Sequence, residues 1–322
     1  MLVPVLLFVL GLVLLIKGGD WFVDGATGLA RRFHIPEIIV GATVVSIGTT
    51  LPEVMVSATG ALNGQGAMAY GNAIGSIICN TSLIAAITLA VRPAPVNTKA
   101  LKMPVLFFFG AAILYCATAY FSGYFSRPLG LVLLAIFVVY MIITVRQGIK
   151  NPAEGAEESH EEAASSKLWK ELVFLVLGAA VIAVGADLLV DNGTIIAREL
   201  GVPESVIALT FVALGTSLPE LVTAITSLVK GHGSLSLGNV IGANLFNLVL
   251  VSGVSVTLAP FQVPDASKFL GQNASLVLDI PVMLGVMLLL TVPALATKKL
   301  QRWQGILLLA IYASYCVLQF TM

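Results

Sequence analysis

Long apolar stretches alternate with short polar joints along the whole chain. A helix that crosses a hydrocarbon core needs about 20 mostly apolar residues, and cutting at the polar and Gly/Pro-rich joints yields ten stretches of that kind. They run approximately over 2–30, 37–62, 68–91, 101–120 and 128–146, then over 168–199, 204–229, 235–258, 272–292 and 303–320. Five lie on each side of one acidic hydrophilic segment, 147–167, rich in Ala, Ser and Gly and with almost nothing apolar to bury. That segment reads as a solvated linker between two units, 1–146 and 168–322. Its Glu157, Glu158, Glu161 and Glu162 lack the fixed ligand spacing of a calcium-binding loop. The opening "MLVPVLLFVLGLVLLIKGG" lacks a basic leader region and a small-residue cleavage site, so it is expected to remain as a span rather than act as a signal peptide.

Composition agrees with a lipid solvent. Hydrophobic residues make up 58% of the 322 and charged ones 11%, with a mean hydropathy of +0.98; soluble domains carry about a quarter charged residues. Seventeen basic residues balance seventeen acidic ones, so no global positive field recruits nucleic acid. Cys79, Cys116 and Cys316 stand singly in apolar runs, a pattern of packing residues rather than of disulfides or a zinc cluster. If the N-terminus is outside, the inner joints hold thirteen of the basic residues, including Arg31, Arg32, Lys230, Lys298 and Lys299, and the outer joints only Arg127, Arg198 and Lys268. The positive-inside bias therefore predicts a multi-pass protein of the cytoplasmic (inner) membrane with both termini outside and the linker in the cytoplasm.

The two units repeat each other. A shift of 167 residues carries Asp20 onto Asp187, Asp24 onto Asp191 and "GTTLPE" (Gly48 to Glu53) onto "GTSLPE" (Gly215 to Glu220). In the same register "GNAIGSIICN" at Gly71 meets "GNVIGANLFN" at Gly238. An odd number of spans per unit makes equivalent helices cross in opposite senses. The expected fold is thus an all-α polytopic membrane protein, ten transmembrane helices in two inverted five-helix repeats, with helices 2 and 7 broken at Gly48–Pro52 and Gly215–Pro219. Transporters of this plan place their substrate near the midplane, where broken helices meet.

Glu53 and Glu220 are the chemistry at that depth. An ionised carboxylate there must be paired, protonated or turned to a cavity, and no basic residue lies at comparable depth. Two such charges 4 Å apart repel by about 4 kcal/mol in an effective dielectric near 20; a divalent cation removes both penalties. Thr49, Thr50 and Ser46 share the Glu53 face by helical spacing, and Asn72, Ser76 and Asn80 form a polar stripe on the next span. The second half supplies Thr216, Ser217, Asn239 and Asn247, with Ala213 and Ala243 where the first half has serines. Hydroxyl, amide and carboxylate oxygens without His or Cys suit Ca²⁺ and Na⁺, and flexible coordination favours calcium over magnesium. Gly71, Gly75, Gly238 and Gly242 read as close-packing positions, and Asp20, Asp24, Asp187 and Asp191 as capping or gating contacts near span ends.

At these residues the chain resembles the calcium/cation antiporter superfamily, in particular prokaryotic sodium/calcium exchangers; two G-T-x-L-P-E motifs, each followed at equal spacing by G-N-x-I-G, carry the likeness. The resemblance implies that Glu53 and Glu220 are the main calcium ligands, joined by the carbonyls of Thr49 and Thr216. Sodium would use the same acids with Ser46, Thr50, Ser76, Ser217 and the carbonyl of Ala213, and Asn80 and Asn247 would complete the centre. It also implies sliding of the first and sixth helices across the other spans. Asn247 stands where related exchangers can carry an aspartate, and Ala243 where a serine would help hold sodium. The expected activity is secondary exchange of Ca²⁺ for Na⁺ by alternating access, with H⁺ or K⁺ as alternative counter-ions and a gated cation channel as the rival class. No cofactor, no obligatory protein partner and no enzymatic activity are expected: hydrolase signatures such as H-E-x-x-H are missing from the chain.

Overall fold

The computed structural model describes residues 2–93, 96–150, 168–201 and 215–321. In chain order the helices are α1 (Leu2–Arg32), α2 (Glu37–Leu62), α3 (Gly66–Val91), α4 (Thr98–Phe121), α5 (Arg127–Lys150) and α6 (Leu168–Glu199). They are followed by α7 (Leu218–Val229), α8 (Gly233–Leu258), α9 (Ser275–Thr297) and α10 (Arg302–Thr321). Among the described residues eight of these are long and apolar enough to cross a membrane; α7 has 12 described residues, and α10 has 20 but is not among the eight. The chain is a multi-pass, nearly all-helical membrane protein. Ala213 and the acidic segment with Glu157, Glu158, Glu161 and Glu162 lie outside the described residues. Among the described residues there are also four two-residue strands: β1 (Tyr124–Phe125) pairs antiparallel with β2 (Phe261–Gln262), and β3 (Lys268–Phe269) with β4 (Gln272–Asn273).

Glycine decides which helices touch. Without a driving force from water inside a bilayer, helices associate by close packing of small residues. A Cβ added at Gly11 would meet the Gly185 carbonyl at 2.8 Å, one at Gly18 the Gly178 carbonyl at 3.0 Å, and the reciprocal contacts are 2.9 Å each. Rising numbers on α1 meet falling numbers on α6, so the two run antiparallel. Gly11 and Gly18 are carried onto Gly178 and Gly185 by the repeat shift, which makes this contact symmetrical. Among the eight candidate spans this pair is the least buried: 22% of the most apolar window of each helix is buried, against 83% for α8.

The interior is built on α8. Gly238 and Gly242 lie against Ile38, Ala42 and Ser46 of α2, as their spacing predicts, and Gly130 of α5 lies against Gly253 and Thr257. Around Gly71 and Gly75 no described residue would come within 4 Å of a Cβ, and both glycines line a cavity instead. An aromatic cluster closes the side facing α4 and α5, with Phe137 edge-on to Phe246 at 5.0 Å and Tyr115 stacked on Phe125 at 4.5 Å.

Helix 2 corrects an expectation. Pro52 lies inside a continuous α-helical run, Ser46–Leu62, so the break expected at Gly48–Pro52 is absent. The irregularity is one turn earlier, in the wide π-helical turn Gly41–Val45. A proline removes one hydrogen bond, which does not unwind a helix whose flanking turns are packed and satisfied. Here Ser46 donates to the Gly41 carbonyl at 2.8 Å and Tyr140 to the Ala42 carbonyl at 2.9 Å. Of helix 7 only the part from Gly215 onward lies within the described residues. Gly215–Ser217 form a turn, closed by Leu218 N donating to Gly215 O at 3.2 Å, and the helix starts at Leu218 with Pro219 in its first turn. Wide turns recur in register at Asn80–Ala85 in α3 and Asn247–Val251 in α8; such turns collect at functional sites.

Candidate functional site

The acids of the two halves meet. Glu53 and Glu220 are each 0% exposed, and each is an electrostatic neighbour of polar groups from the opposite half: Glu220 acts on Glu53, and Thr49 and Thr50 stand beside Glu220. Among the described residues no basic side chain pairs with either acid. All four carboxylate oxygens lack a hydrogen-bond partner. So do the hydroxyls of Thr50 and Ser217 and the amide oxygens of Asn80 and Asn247, all of them buried. A buried polar atom without a partner costs roughly 1–3 kcal/mol, and a charged one more. Eight such oxygens on residues from matching positions of two repeats are therefore not a packing accident.

Local folding explains how each residue arrives. Asn80 and Asn247 each begin a wide turn, which offsets the helix and turns that position inward. Asn247 donates its amide to the Ala243 carbonyl at 3.1 Å, leaving the oxygen side unpaired, whereas neither polar atom of Asn80 has a partner. Glu220 lies in the first turn of α7, just after the irregular Gly215–Ser217 turn that leaves the Ser217 hydroxyl unpaired.

Four other predicted residues are placed differently. The Ser46 hydroxyl closes the wide turn of α2 and also donates to the Asn239 carbonyl at 3.0 Å, so it is engaged away from the acids. Thr49 donates to Asn239 Oδ1 at 3.3 Å and Thr216 to Asn72 Oδ1 at 3.2 Å. Ser76 is 5% exposed and lines the cavity. Two residues were missed: Thr223 and Ser227, fully buried with unpartnered hydroxyls, lie three and seven positions after Glu220. That spacing puts them on the face of the acid, a signal available in the sequence and not used.

A cavity of about 1420 Å³ leads to this cluster. It is lined by Thr49, Ser76 and Thr216 at its inner end and reaches Asp187, Asp191, Asp279, Ser267 and Gln319. Asp279 accepts from Tyr315 at 3.0 Å and Gln319 at 2.8 Å. At the other end of α1, Lys230 donates to Asp24 at 2.8 Å and to the Asp20 carbonyl at 3.0 Å. Among the described residues no group of three or more His, Cys, Asp and Glu forms a metal centre of that kind; the oxygens that converge are a mixture of acid, amide and hydroxyl.

Comparison with known proteins gives the family. The model of a family described as "Sodium/calcium exchanger protein" matches residues 3–146 and 170–321. A putative antiporter, CaxA, from Alkalimonas amylolytica is 34% identical over 327 residues, covering 100% of both chains. The sodium/calcium exchanger MaX1 from Methanosarcina acetivorans is 29% identical, covering 98% of both. Among solved structures, the sodium-calcium exchanger NCX_Mj soaked with Na⁺ and Sr²⁺ matches with a TM-score of 0.82 and 33% identity, again over 98% of both chains. The chain belongs to the sodium/calcium exchanger family, a prokaryotic branch of the calcium/cation antiporters, which is a family of transporters.

Proposed function

We propose that the protein exchanges Ca²⁺ for Na⁺ across the cytoplasmic membrane by alternating access, at a single site between the two halves. The observation that carries this reading is the pair of fully buried acids, one from each repeat, whose four oxygens have no protein partner. Glu53 and Glu220 supply the charge that balances one divalent ion. Asn80, Asn247, Thr50 and Ser217 supply neutral oxygens, and Thr49 and Thr216 their carbonyls. Ser76 lines the path inward, and Ala213 and Ser46 would serve sodium through backbone oxygen. Hard oxygen donors in a flexible arrangement suit calcium, and sodium competes because it accepts the same donors. Competition for one site is what couples the two flows.

The fold supports the same mechanism. We read the chain as two inverted five-helix repeats joined by a cytoplasmic linker, with both termini outside. The antiparallel α1–α6 pair is the peripheral element, and its glycine contact lets two smooth backbones face each other. The cavity opens on the side that the basic residues mark as external, while Lys230 bridges to α1 on the cytoplasmic side.

The test is ⁴⁵Ca²⁺ uptake into proteoliposomes under an outward sodium gradient. Uptake should collapse by roughly 100-fold or more in Glu53→Gln and in Glu220→Gln, because each removes a charge that only a cation satisfies. Parent-like uptake in both variants rejects the assigned site. Uptake driven equally well by a proton gradient without sodium makes H⁺ the counter-ion instead.

A further inference from the structure

We propose that Asn72 and Asn239 are positioning residues that reach across the two halves and fix the threonines preceding each glutamate, a proposal that rests on the exchanger reading above. Thr49 of α2 donates to Asn239 of α8, and Thr216 at the entry to α7 donates to Asn72 of α3. The repeat shift carries one bond onto the other. Each therefore joins opposite halves, and the pair is symmetrical.

Threonine on a helix ordinarily bonds backward to its own chain. Thr27, Thr43, Thr81, Thr118 and Thr291 all donate to the carbonyl four residues earlier, at 2.6–2.9 Å. Thr49 does not. The Thr49 and Thr216 hydroxyls donate across to an amide oxygen of the opposite half, which fixes each threonine and, with it, the placement of its backbone carbonyl.

Asn72 does more than its counterpart. Its amide also donates to the Glu53 carbonyl at 3.2 Å and to Ser57 at 2.8 Å, so a single side chain links Thr216 of the second half to the backbone of the first acid. Motion of one half is thereby felt at the glutamate of the other. Asn239 collects hydroxyls from Ser46 and Thr49 on its oxygen, at 3.3 Å each, while its amide nitrogen has no partner.

The experiment is a mutant cycle on Ca²⁺ uptake in proteoliposomes, reading both the half-saturating Ca²⁺ concentration and the maximal rate. Thr216→Val, which keeps the carbonyl and the shape, should raise half-saturation about threefold to tenfold, the span of one net hydrogen bond, with the maximal rate changed about twofold at most. Thr216→Ser should recover most of that loss. In an Asn72→Ala background, Thr216→Val should add nothing further. Additive losses overturn the proposal and make the hydroxyl itself a ligand; a serine variant as impaired as the valine one overturns it too, because the hydroxyl then does not account for the loss. If Asn72→Ala does not yield folded protein, the same cycle on the symmetrical bond, Thr49→Val with Asn239→Ala, decides by the same criterion of additivity. Glu53→Gln and Glu220→Gln in the same vesicles separate the two claims: indifference to those changes removes the exchanger site, whereas additivity in the cycle removes only the tether.

Discussion

Glu53 lies inside an α-helix that runs on from Ser46 to Leu62 with Pro52 within it, whereas its repeat partner Glu220 lies in the first turn of a helix preceded by the irregular turn Gly215–Ser217. The amides beside them differ in the same direction. Asn72 holds the Glu53 carbonyl and Ser57 together, while the amide nitrogen of Asn239 finds nothing, because Ala224 occupies the position equivalent to Ser57. One acid is thus set in a rigid frame and the other on a looser one. A site made of one fixed and one adjustable carboxylate can keep its charge in place while changing its shape, as a carrier handling two ions of different charge must do.

The prolines should separate the two behaviours most sharply. Pro219, in the first turn of the helix, has no N–H to donate back to the Gly215 carbonyl and so pins the start of the helix. Replacing it by alanine lets the helix grow back through Ser217 and withdraw an unpartnered hydroxyl from the site. Ca²⁺ uptake by Pro219→Ala should fall about tenfold, the scale of a misplaced binding group. Pro52→Ala restores a donor to the Gly48 carbonyl within a segment that is already helical. It should raise the midpoint of thermal unfolding in detergent and cost uptake about threefold at most. Equal losses from both changes would erase the distinction between a fixed and an adjustable acid.

The ends of the two peripheral helices extend the comparison at a smaller scale. Asp20 and Asp24 on α1 are joined to Lys230, which lies just beyond α7. Their equivalents on α6, Asp187 and Asp191, line the cavity, and the position equivalent to Lys230 is Asn63. The pair is partly solvent-exposed, with side-chain exposures of 26% for Lys230 and 51% for Asp24, so its worth is modest. Lys230→Gln should speed cytoplasmic-side labelling of a cysteine placed at Ser227 by about twofold to fivefold, and high salt should produce the same change in the parent. Unchanged labelling would show that packing alone holds that end. Asn63→Lys, which offers Asp187 and Asp191 the missing cation, should slow uptake by a similar factor.

Much of this site can be read from the sequence because the repeat writes it twice. A lone glutamate after a proline is ambiguous, but two of them in register, each followed by G-N-x-I-G, mark a pair, and Asn80 and Asn247 are found by the same register. What escapes is whatever depends on a neighbour far along the chain. Pro52 announces a break that packing from α8 and the hydroxyl of Tyr140 make unnecessary. Ser46 looks like a ligand by its spacing from Glu53, yet a bond to Asn239, 193 residues away, turns it aside. Lys230 seems a simple cytoplasmic charge until the fold brings it to Asp24, 206 residues away. Thr223 and Ser227 are a different kind of miss: their spacing from Glu220 was visible, but the repeat has no matching hydroxyl pair to draw attention to them.

The smallest of these effects tests the origin of the asymmetry most directly. In the first half, Ser57 accepts from Asn72 at 2.8 Å; in the second, Ala224 is fully buried and offers no acceptor to Asn239. Ala224→Ser adds one oxygen at the equivalent position, next to a nitrogen that now lacks a partner. If that vacancy is what leaves the second half looser, the added bond should stabilise the folded protein by about 1 kcal/mol, net of burying the hydroxyl. For a chain of this size that is a rise of roughly 2–4 °C in the unfolding midpoint. The same change should lower the maximal exchange rate slightly, since the adjustable acid would then be framed like the fixed one. A lower midpoint with unchanged transport would mean that the space beside Asn239 is too tight for a hydroxyl, and that the looseness of the second half comes from the Gly215–Ser217 turn alone.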